Sequence, residues 1–472
     1  IHFRTKYNGW NPTCLEILLE DGTIERRDIG KDSYEKYFHS FMGLRYSCYT
    51  CVFAELPHKS DITLGDFWGV QNYDQRWNDD KGTSIVIVNT EKGEKFFEQI
   101  KNKAQKYEAV CWKYTITNRI HTNIAERVTM PETRKRFYHW IKRTSFSDAV
   151  KRALENYHDI AVISNWSGYN YGAQLTQLAF YTILNYLGYS VIMIERPRLD
   201  FVGGNADIPL LFRENPYPPY DICKRFANID EMRCINSFSD TFIVASDQLW
   251  NYAFREKDLF ALSFINNKKK KLAYATSFGC YPHNWPQEEF AVESFYLNQF
   301  DAISVREDTA VDILRDEANI EAIQVLDPIF LCSAHFYEEI AKKSYINREE
   351  PYGLAFILDP TDQKKIILEK IGNIKKIKWI CISDAVNMNL KSSNGIKFET
   401  NIFIEDLLYY ISHSQFVVTD SYHGMCLAII LKKQFLAIRN FNRGATRFDS
   451  LTRLLRLEKR VVDENELTEK IL

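Results

Sequence analysis

Three groups of residues in this 472-residue chain are of a type and spacing that could do chemistry. The first is Asp420-Ser421-Tyr422-His423-Gly424, which follows the β-branched, apolar run 416–419 and precedes the helical pattern 425–431. Gly424 is read as the tight turn between strand and helix. That sets Asp420 and His423 outside the carboxyl end of a strand, where an open α/β sheet collects its ligands. A carboxylate and an imidazole so placed can share or relay a proton near neutral pH. An Asp that caps the helix, with a packed His beside it, is the simpler alternative. The second group is a series of polar strand exits: Ser246-Asp247, Thr276-Ser277, Arg306-Glu307 and Asp327-Pro328. Several such exits along one edge, including an Arg, build the polar rim of a cleft. The third is Cys48-Tyr49-Thr50-Cys51. Such a pair can bind zinc or an iron–sulfur cluster, act in redox, or be buried and inert. A closed metal site needs four ligands, and Cys14, Cys111, His39 and His58 are only distant supplements.

The elements that must position these groups fall into four segments. Residues 1–130 alternate short strands and helices, a smaller α+β domain with a hairpin turn at Asp21-Gly22. Residues 131–156 read as a helical connector rich in Lys, Arg and aromatics. It presents either a solvated basic face over an apolar stripe or a surface for anionic lipid or a diphosphate-linked acceptor. From 157 onward β and α signals alternate, the pattern of a parallel sheet with covering helices. The loop Asn165 through Gly172 enters a helix at 173–187, whose N-terminal N–H groups favour an anion. A second α/β series starts at 352, and Arg439, Arg443 and Arg447 follow its strand 434–438 in a loop containing Gly444. The expected fold is α/β, with two Rossmann-like lobes at 157–335 and 336–472 facing a cleft, as in the GT-B arrangement. One larger doubly wound sheet is the second choice.

Composition narrows the function classes. A formal net charge of -2 argues against a general nucleic-acid binder. No apolar run is long enough to span a bilayer and no signal peptide is visible. The ten cysteines are scattered apart from one close pair, which fits a reducing cytoplasm rather than a disulfide framework. Ile1 is not a start methionine, and strand-like sequence begins at once, so further chain is expected upstream.

Two resemblances follow from these motifs. Ser47-Cys48-Tyr49-Thr50-Cys51, then Ser60 to Gly69 (SDITLGDFWG) and Lys81-Gly82-Thr83-Ser84, resemble the C-terminal part of coenzyme F-420 hydrogenase/dehydrogenase beta subunits over about 1–110. For that family the resemblance implies flavin-linked electron transfer, with an iron–sulfur cluster or flavin as the cofactors to look for near Cys48 and Cys51. A partner or structural module is the reading taken here, and a deazaflavin- or iron–sulfur-linked oxidoreductase is the alternative function. Over about 157–460, Asn170-Tyr171-Gly172, Ser-Asp-Gln-Leu-Trp-Asn, Tyr-Ala-Thr-Ser-Phe-Gly, Ser-Val-Arg-Glu, Leu-Asp-Pro and Thr-Asp-Ser-Tyr-His-Gly occur in order. Together they resemble the polysaccharide pyruvyl transferase family.

That second resemblance implies transfer of the enolpyruvyl-derived group of phosphoenolpyruvate to two hydroxyls of a sugar, forming a pyruvate ketal in capsular or exopolysaccharide synthesis. Arg306 and His423 match the family's donor-site Arg and His. Ser421 stands where many members carry a second Arg, and Arg443 or Arg447 could replace that charge. His423 is then the expected acid/base, Asp420 its orienting group or second base, and Arg306 a bidentate clamp on the donor. Asn170, Gly172, Asp247, Ser277 and Ser421 complete the expected substrate site, with Asp247 and Asn170 facing the acceptor's hydroxyls. No cofactor or metal is required. The acceptor sugar is expected on a nucleotide or a lipid diphosphate. The location implied is the cytoplasm, peripheral to the inner face of the membrane beside other polysaccharide-assembly enzymes.

Overall fold

In the computed structural model, residues 2–5, 14–53, 58–67, 70–110, 128–166, 168–195, 211–213, 220–223, 226–253, 257–383, 395–400 and 402–465 are described. The chain divides into two compact units, 1–157 and 158–472.

In the first unit, His2–Thr5, Cys14–Leu18 and Ile24–Asp28 form a three-stranded antiparallel sheet. Ile62–Asp66 and Ser84–Val88 form an antiparallel pair. Helix Ser33–His39 is capped by Asp32, whose carboxylate accepts the N–H of Tyr34 and of Glu35. The segment after 131 makes two helices, Glu132–Trp140 and Phe146–Leu154. Their apolar stripe (Phe137, Trp140, Ala149, Val150, Ala153) packs with Met42 and with Tyr37 of the Ser33–His39 helix. Two of its basic residues are stacked on rings, Arg134 over Tyr138 and Arg152 over Trp140.

The second unit holds two parallel sheets, each with helices on its faces. The first runs, edge to edge, Ile323–Gln324, Ala302–Val305, Lys270–Thr276, Thr241–Asp247, Ile160–Ile163, Val191–Ile194 and Asp221–Ile222. The second runs Ile396–Glu399, Trp379–Ile382, Gly353–Phe356, Phe416–Thr419, Phe435–Ile438 and Val461–Val462. In both, the first strand of the lobe lies at the centre and the order reverses beside it, the doubly wound topology of a Rossmann-like lobe. The central strands are buried along their whole length, which is why they read as unbroken apolar runs rather than alternating ones. The fold is therefore α/β with two lobes of GT-B type, not one large sheet, preceded by a smaller antiparallel domain.

Helix Tyr171–Tyr186 locks the lobes together. Phe180, Tyr181 and Leu184 pack on the first sheet, while Tyr171, Leu175, Leu178 and Ala179 join the core under the second. Serving two cores at once, the helix is apolar nearly all round. Across the lobes, Tyr171 donates its hydroxyl to the carbonyl of Ile402 at 2.9 Å. Arg213 pairs with Asp406 at 2.7 Å, and Arg453 with Asp308 at 2.6 Å. A cavity of about 380 Å³ opens at the carboxyl edge of the second sheet, among Ile357, Thr361, Lys365, Cys381, Ile396 and Phe398.

Candidate active site

Two strand exits of the first lobe and the helix Tyr171–Tyr186 converge on the carboxylate of a third exit. Asp327 leaves strand Ile323–Gln324 through a short loop, and its side chain is wholly buried. Its Oδ1 accepts from Thr176 Oγ1 at 3.0 Å and from the Ile329 N–H at 3.0 Å. Its Oδ2 accepts from Ser246 Oγ at 2.9 Å and from Arg306 Nη1 at 2.9 Å. Burial pushes the Asp327 carboxyl upward, but the His423 imidazole and the Arg306 guanidinium outweigh it and hold the group well below the usual carboxylate range.

Arg306 follows strand Ala302–Val305 and its guanidinium has no solvent exposure. Its Nη2 reaches Asp247 Oδ1 at 3.4 Å, and its plane lies 4.9 Å from the Tyr422 ring centre. Burial opposes its charge, yet Asp327 and Asp247 win and its pKa is raised. Asp247 ends strand Thr241–Asp247. Burial would raise its pKa, but Arg306, then His423 and Arg447, keep it lowered. Ser246 and Asp247 both have positive φ, 49° and 73°, a strained conformation for two successive side-chain-bearing residues. The contacts to Arg306 and Asp327 hold them there.

The second lobe brings the remaining groups. Strand Phe416–Thr419 leads to Ser421, whose hydroxyl accepts the Gly424 N–H at 3.2 Å and starts helix Tyr422–Ile430. Tyr422 and His423 thus occupy the first turn of a buried helix that faces the first lobe. The His423 ring rests on Gly172: a Cβ there would stand 2.5 Å from His423 Cβ and closer still to Nδ1 and Cγ. Its Nε2 lies 3.7 Å from Asp327 Oδ2.

Arg447, in helix Thr446–Leu455, stacks on the same Tyr422 ring as Arg306, at 5.1 Å. It donates only to the carbonyls of Gly444 and Arg443 and forms no ion pair with a carboxylate among the described residues. Burial, and then the charge of Arg306, lower its pKa to about 10. The loop that carries it is seated on the first lobe. Gly444 (φ 91°) has no room for a Cβ against Gly279, and Gln248 Nε2 donates to the Arg443 carbonyl at 3.0 Å. Three buried polar atoms in this region have no hydrogen-bond partner: Arg306 Nε and Glu307 Oε2, which face each other as an ion pair at 3.9 Å, and His423 Nε2. Unpaired buried polar atoms are costly in a native interior and mark a place built for something polar. Two stacked guanidiniums and an imidazole with an open nitrogen suit a small anion that must be protonated or deprotonated.

Residues 170–442, more than half of the chain, match the family model of polysaccharide pyruvyl transferase. The chain belongs to the polysaccharide pyruvyl transferase family. Residues 11–110 match the family model for the C terminus of the beta subunit of coenzyme F420 hydrogenase/dehydrogenase. No curated protein matches the chain. Among solved structures, it is similar to UDP-GlcNAc 2-epimerase of Methanocaldococcus jannaschii in complex with UDP-GlcNAc and UDP (15% identity, TM-score 0.41, 65% of this chain and 89% of that one). It is also similar to the wall teichoic acid polymerase TagF (14%, 0.36, 64% and 78%) and to UDP-GlcNAc 2-epimerase from Neisseria meningitidis bound to UDP-GlcNAc (12%, 0.39, 64% and 92%). As a pyruvyl transferase family member the chain is a polysaccharide-modifying transferase, and no helix among its described residues is long and apolar enough to cross a membrane.

In this member of the family, several residues expected at the site have other partners. Asp420 does not orient His423. Its oxygens accept from the Leu358 and Asp359 N–H groups (2.6 and 3.1 Å), Lys364 Nζ (2.8 Å) and Asn440 Nδ2 (3.3 Å), so it ties strand exits together inside the second lobe. Arg306 cannot offer a free fork to a donor, because both terminal nitrogens are held by Asp327 and Asp247, and only Nε, 3.9 Å from Glu307 Oε2, makes no hydrogen bond. Gly424 lies inside the helix rather than at the turn, since the Ser421 cap starts it two residues earlier. Arg443 is gripped by Asp359 through two bonds of 2.7 and 2.9 Å. Asn170 caps helix Tyr171–Tyr186 through the Ala173 N–H, and Ser277 donates to Glu307 Oε1 at 2.7 Å. Cys48 is exposed and Cys51 half-buried, and among the described residues no group of three or more His, Cys, Asp or Glu is placed to hold a metal ion. Cys111, Trp68 and Gly69 lie outside the described residues.

The sequence alone assigned no role to Asp327 or Tyr422. Asp327 was visible as one of the polar strand exits, and its position in that series was the available signal. Nothing in the sequence marks Tyr422 as the ring on which two arginines stack.

Proposed function

We propose that the chain transfers the enolpyruvyl-derived group of phosphoenolpyruvate to a pair of sugar hydroxyls, releasing phosphate and forming a pyruvate ketal. The observation that carries this reading is Arg447, a buried guanidinium with no carboxylate partner among the described residues, set beside Arg306 and His423. A buried cation left without an anion is unfavourable unless a ligand supplies one, and the donor has both a phosphate and a carboxylate. Arg447 takes the clamp role, with Arg306 Nε as the second contact.

The chemistry needs one proton donor and one base near the donor's C2–C3 bond. The His423 imidazolium protonates the methylene carbon C3, which leaves positive charge at C2. A sugar hydroxyl adds to C2 and passes its proton to the now neutral imidazole. Phosphate departs with the C2–O bond electrons, and the second hydroxyl attacks C2, closing the ring and giving up its proton to the departed phosphate. The balance is one phosphoenolpyruvate and one diol in, one ketal and one phosphate out. Asp247, beside Arg306, is the candidate for orienting the acceptor's hydroxyls. Arg306, Tyr422, His423 and Arg447 are each at most 5% exposed, so donor and acceptor reach them only when the packing over this cluster opens.

The test is phosphate release from phosphoenolpyruvate with and without candidate sugar acceptors. Release that depends on acceptor, and that disappears in His423→Ala and Arg447→Ala proteins of unchanged circular dichroism, is expected. Release unchanged in both variants contradicts the assignment.

A further inference from the structure

The proposed reaction gives His423 a proton to move but does not say what decides which ring nitrogen carries it, or what keeps the ring in place. Two features bear on this. The Nδ1 edge lies against Gly172, the second residue of helix Tyr171–Tyr186. That contact is with the Cα side of Gly172, and the nearby Ala173 N–H is already given to Asn170 Oδ1, so the Nδ1 edge is held by packing and Nε2 is the nitrogen that faces a charged group. The Nε2 edge faces Asp327 Oδ2 across 3.7 Å and has no hydrogen-bond partner. Asp327 itself is fixed by four donors from four first-lobe segments: Thr176, Ser246, Arg306 and its own Ile329 N–H.

The geometry points to Asp327 as the positioning residue for His423, a first-lobe carboxylate that selects the Nε2-protonated imidazole of a second-lobe histidine. The inference rests on His423 being the acid/base of the proposed reaction. The Nε2 proton sits at ion-pair rather than hydrogen-bond distance from Oδ2, so it stays transferable to a donor bound between the lobes. A dyad divided in this way exists only while the lobes are apposed, which ties proton transfer to closure over the substrates. Asp247 also faces the ring electrostatically from the first lobe, and Arg306 offsets both carboxylates. The dominant carboxylate is the nearer one, Asp327.

The test reads His423 directly in the full chain. Long-range proton–nitrogen NMR on 15N-histidine protein resolves the tautomer of each of the ten histidines, and the His423 signals are those lost in His423→Gln. The expected result is a neutral ring protonated at Nε2. Asp327→Asn is expected to redistribute the neutral ring between its two tautomers. Thr176→Val, which removes a donor to Oδ1 without touching the ring, should lower Tm yet leave the tautomer as it was. An Nδ1-protonated ring, or a tautomer indifferent to Asp327→Asn in a folded protein, overturns the inference. If Asp327→Asn does not fold, the wild-type tautomer alone decides. Because neither phosphoenolpyruvate nor sugar enters this measurement, a protein that makes no ketal but shows the expected tautomer refutes the proposed reaction and leaves the pair standing.

Discussion

Gly172→Ala offers a sharp test of the idea that a displacement of about 1 Å at His423 decides turnover. The added methyl carbon would stand 2.5 Å from His423 Cβ, whereas ordinary van der Waals contact begins near 3.4 Å, so one side must retreat by about 0.9 Å. Gly172 sits in the first turn of a helix buried in both cores and has little freedom to move. The displacement therefore falls on the imidazole and pushes it out of line with Asp327. Overpacking of this kind costs about 1–3 kcal/mol of stability. A misplacement of about 1 Å in a reacting group costs about 100-fold in rate. Acceptor-dependent phosphate release is the assay, with thermal unfolding run in parallel. The expected variant is folded, has a slightly lowered Tm, and turns over about 100-fold more slowly, with its phosphoenolpyruvate KM changed far less than its kcat. A Gly172→Ala protein with wild-type kcat would show that the ring's position against this helix does not matter, and the placement of His423 in the chemistry would fall with it.

Other perturbations separate function from stability. Arg447→Met removes a buried cation that makes no ion pair at contact distance among the described residues, so Tm should rise or hold while activity is lost. Phosphoenolpyruvate at about 100 times its Kd should stabilise the wild-type chain by about 2.7 kcal/mol and the Arg447→Met chain by much less, as read from Tm shifts. Asp420→Asn leaves the buried Lys364 ammonium without its contacting carboxylate, held by the Asp359 carbonyl, and should cost about 3–5 kcal/mol by chemical denaturation. Asp247 and Asp327 have lowered folded-state pKa values. The stability they contribute is complete above the unfolded carboxylate value of about 3.9 and is lost as the pH falls through their lower folded values. Asp247→Asn should accordingly lower Tm near neutral pH and flatten its decline below about pH 4.

Much of the architecture was legible because parallel sheets leave a plain trace. Runs such as Ile160–Ile163, Phe416–Thr419 and Phe435–Ile438 are buried on both faces and cannot alternate, and polar residues gather where they end. Short edge strands left none: Ile396–Glu399 and Val461–Val462 are half polar or only two residues long. The site was readable as a set of candidate residues and not as a set of partnerships. Asp420 and His423 are three residues apart, which invites pairing them, but the helix that starts at Tyr422 turns the imidazole toward the first lobe while the carboxylate stays with Leu358, Asp359 and Lys364. The carboxylate that does face His423 is 96 positions away in the chain, at Asp327, and only the apposition of two lobes brings it there. Arg306 followed the same logic in reverse. An arginine at a strand exit is a natural anion clamp until two neighbouring exits prove to carry the aspartates that neutralise it. Arg447 became the better clamp only once its hydrogen-bond partners were known to be carbonyls rather than carboxylates.

Mass spectrometry of lipid-diphosphate-linked and nucleotide-linked sugars incubated with phosphoenolpyruvate tests the proposed reaction most directly. The expected product is an acceptor heavier by one pyruvate less one water, formed in step with phosphate and missing when His423→Ala or Arg447→Ala protein replaces the wild type. Phosphate release without any such adduct, or an adduct that forms equally well with both variants, would contradict it.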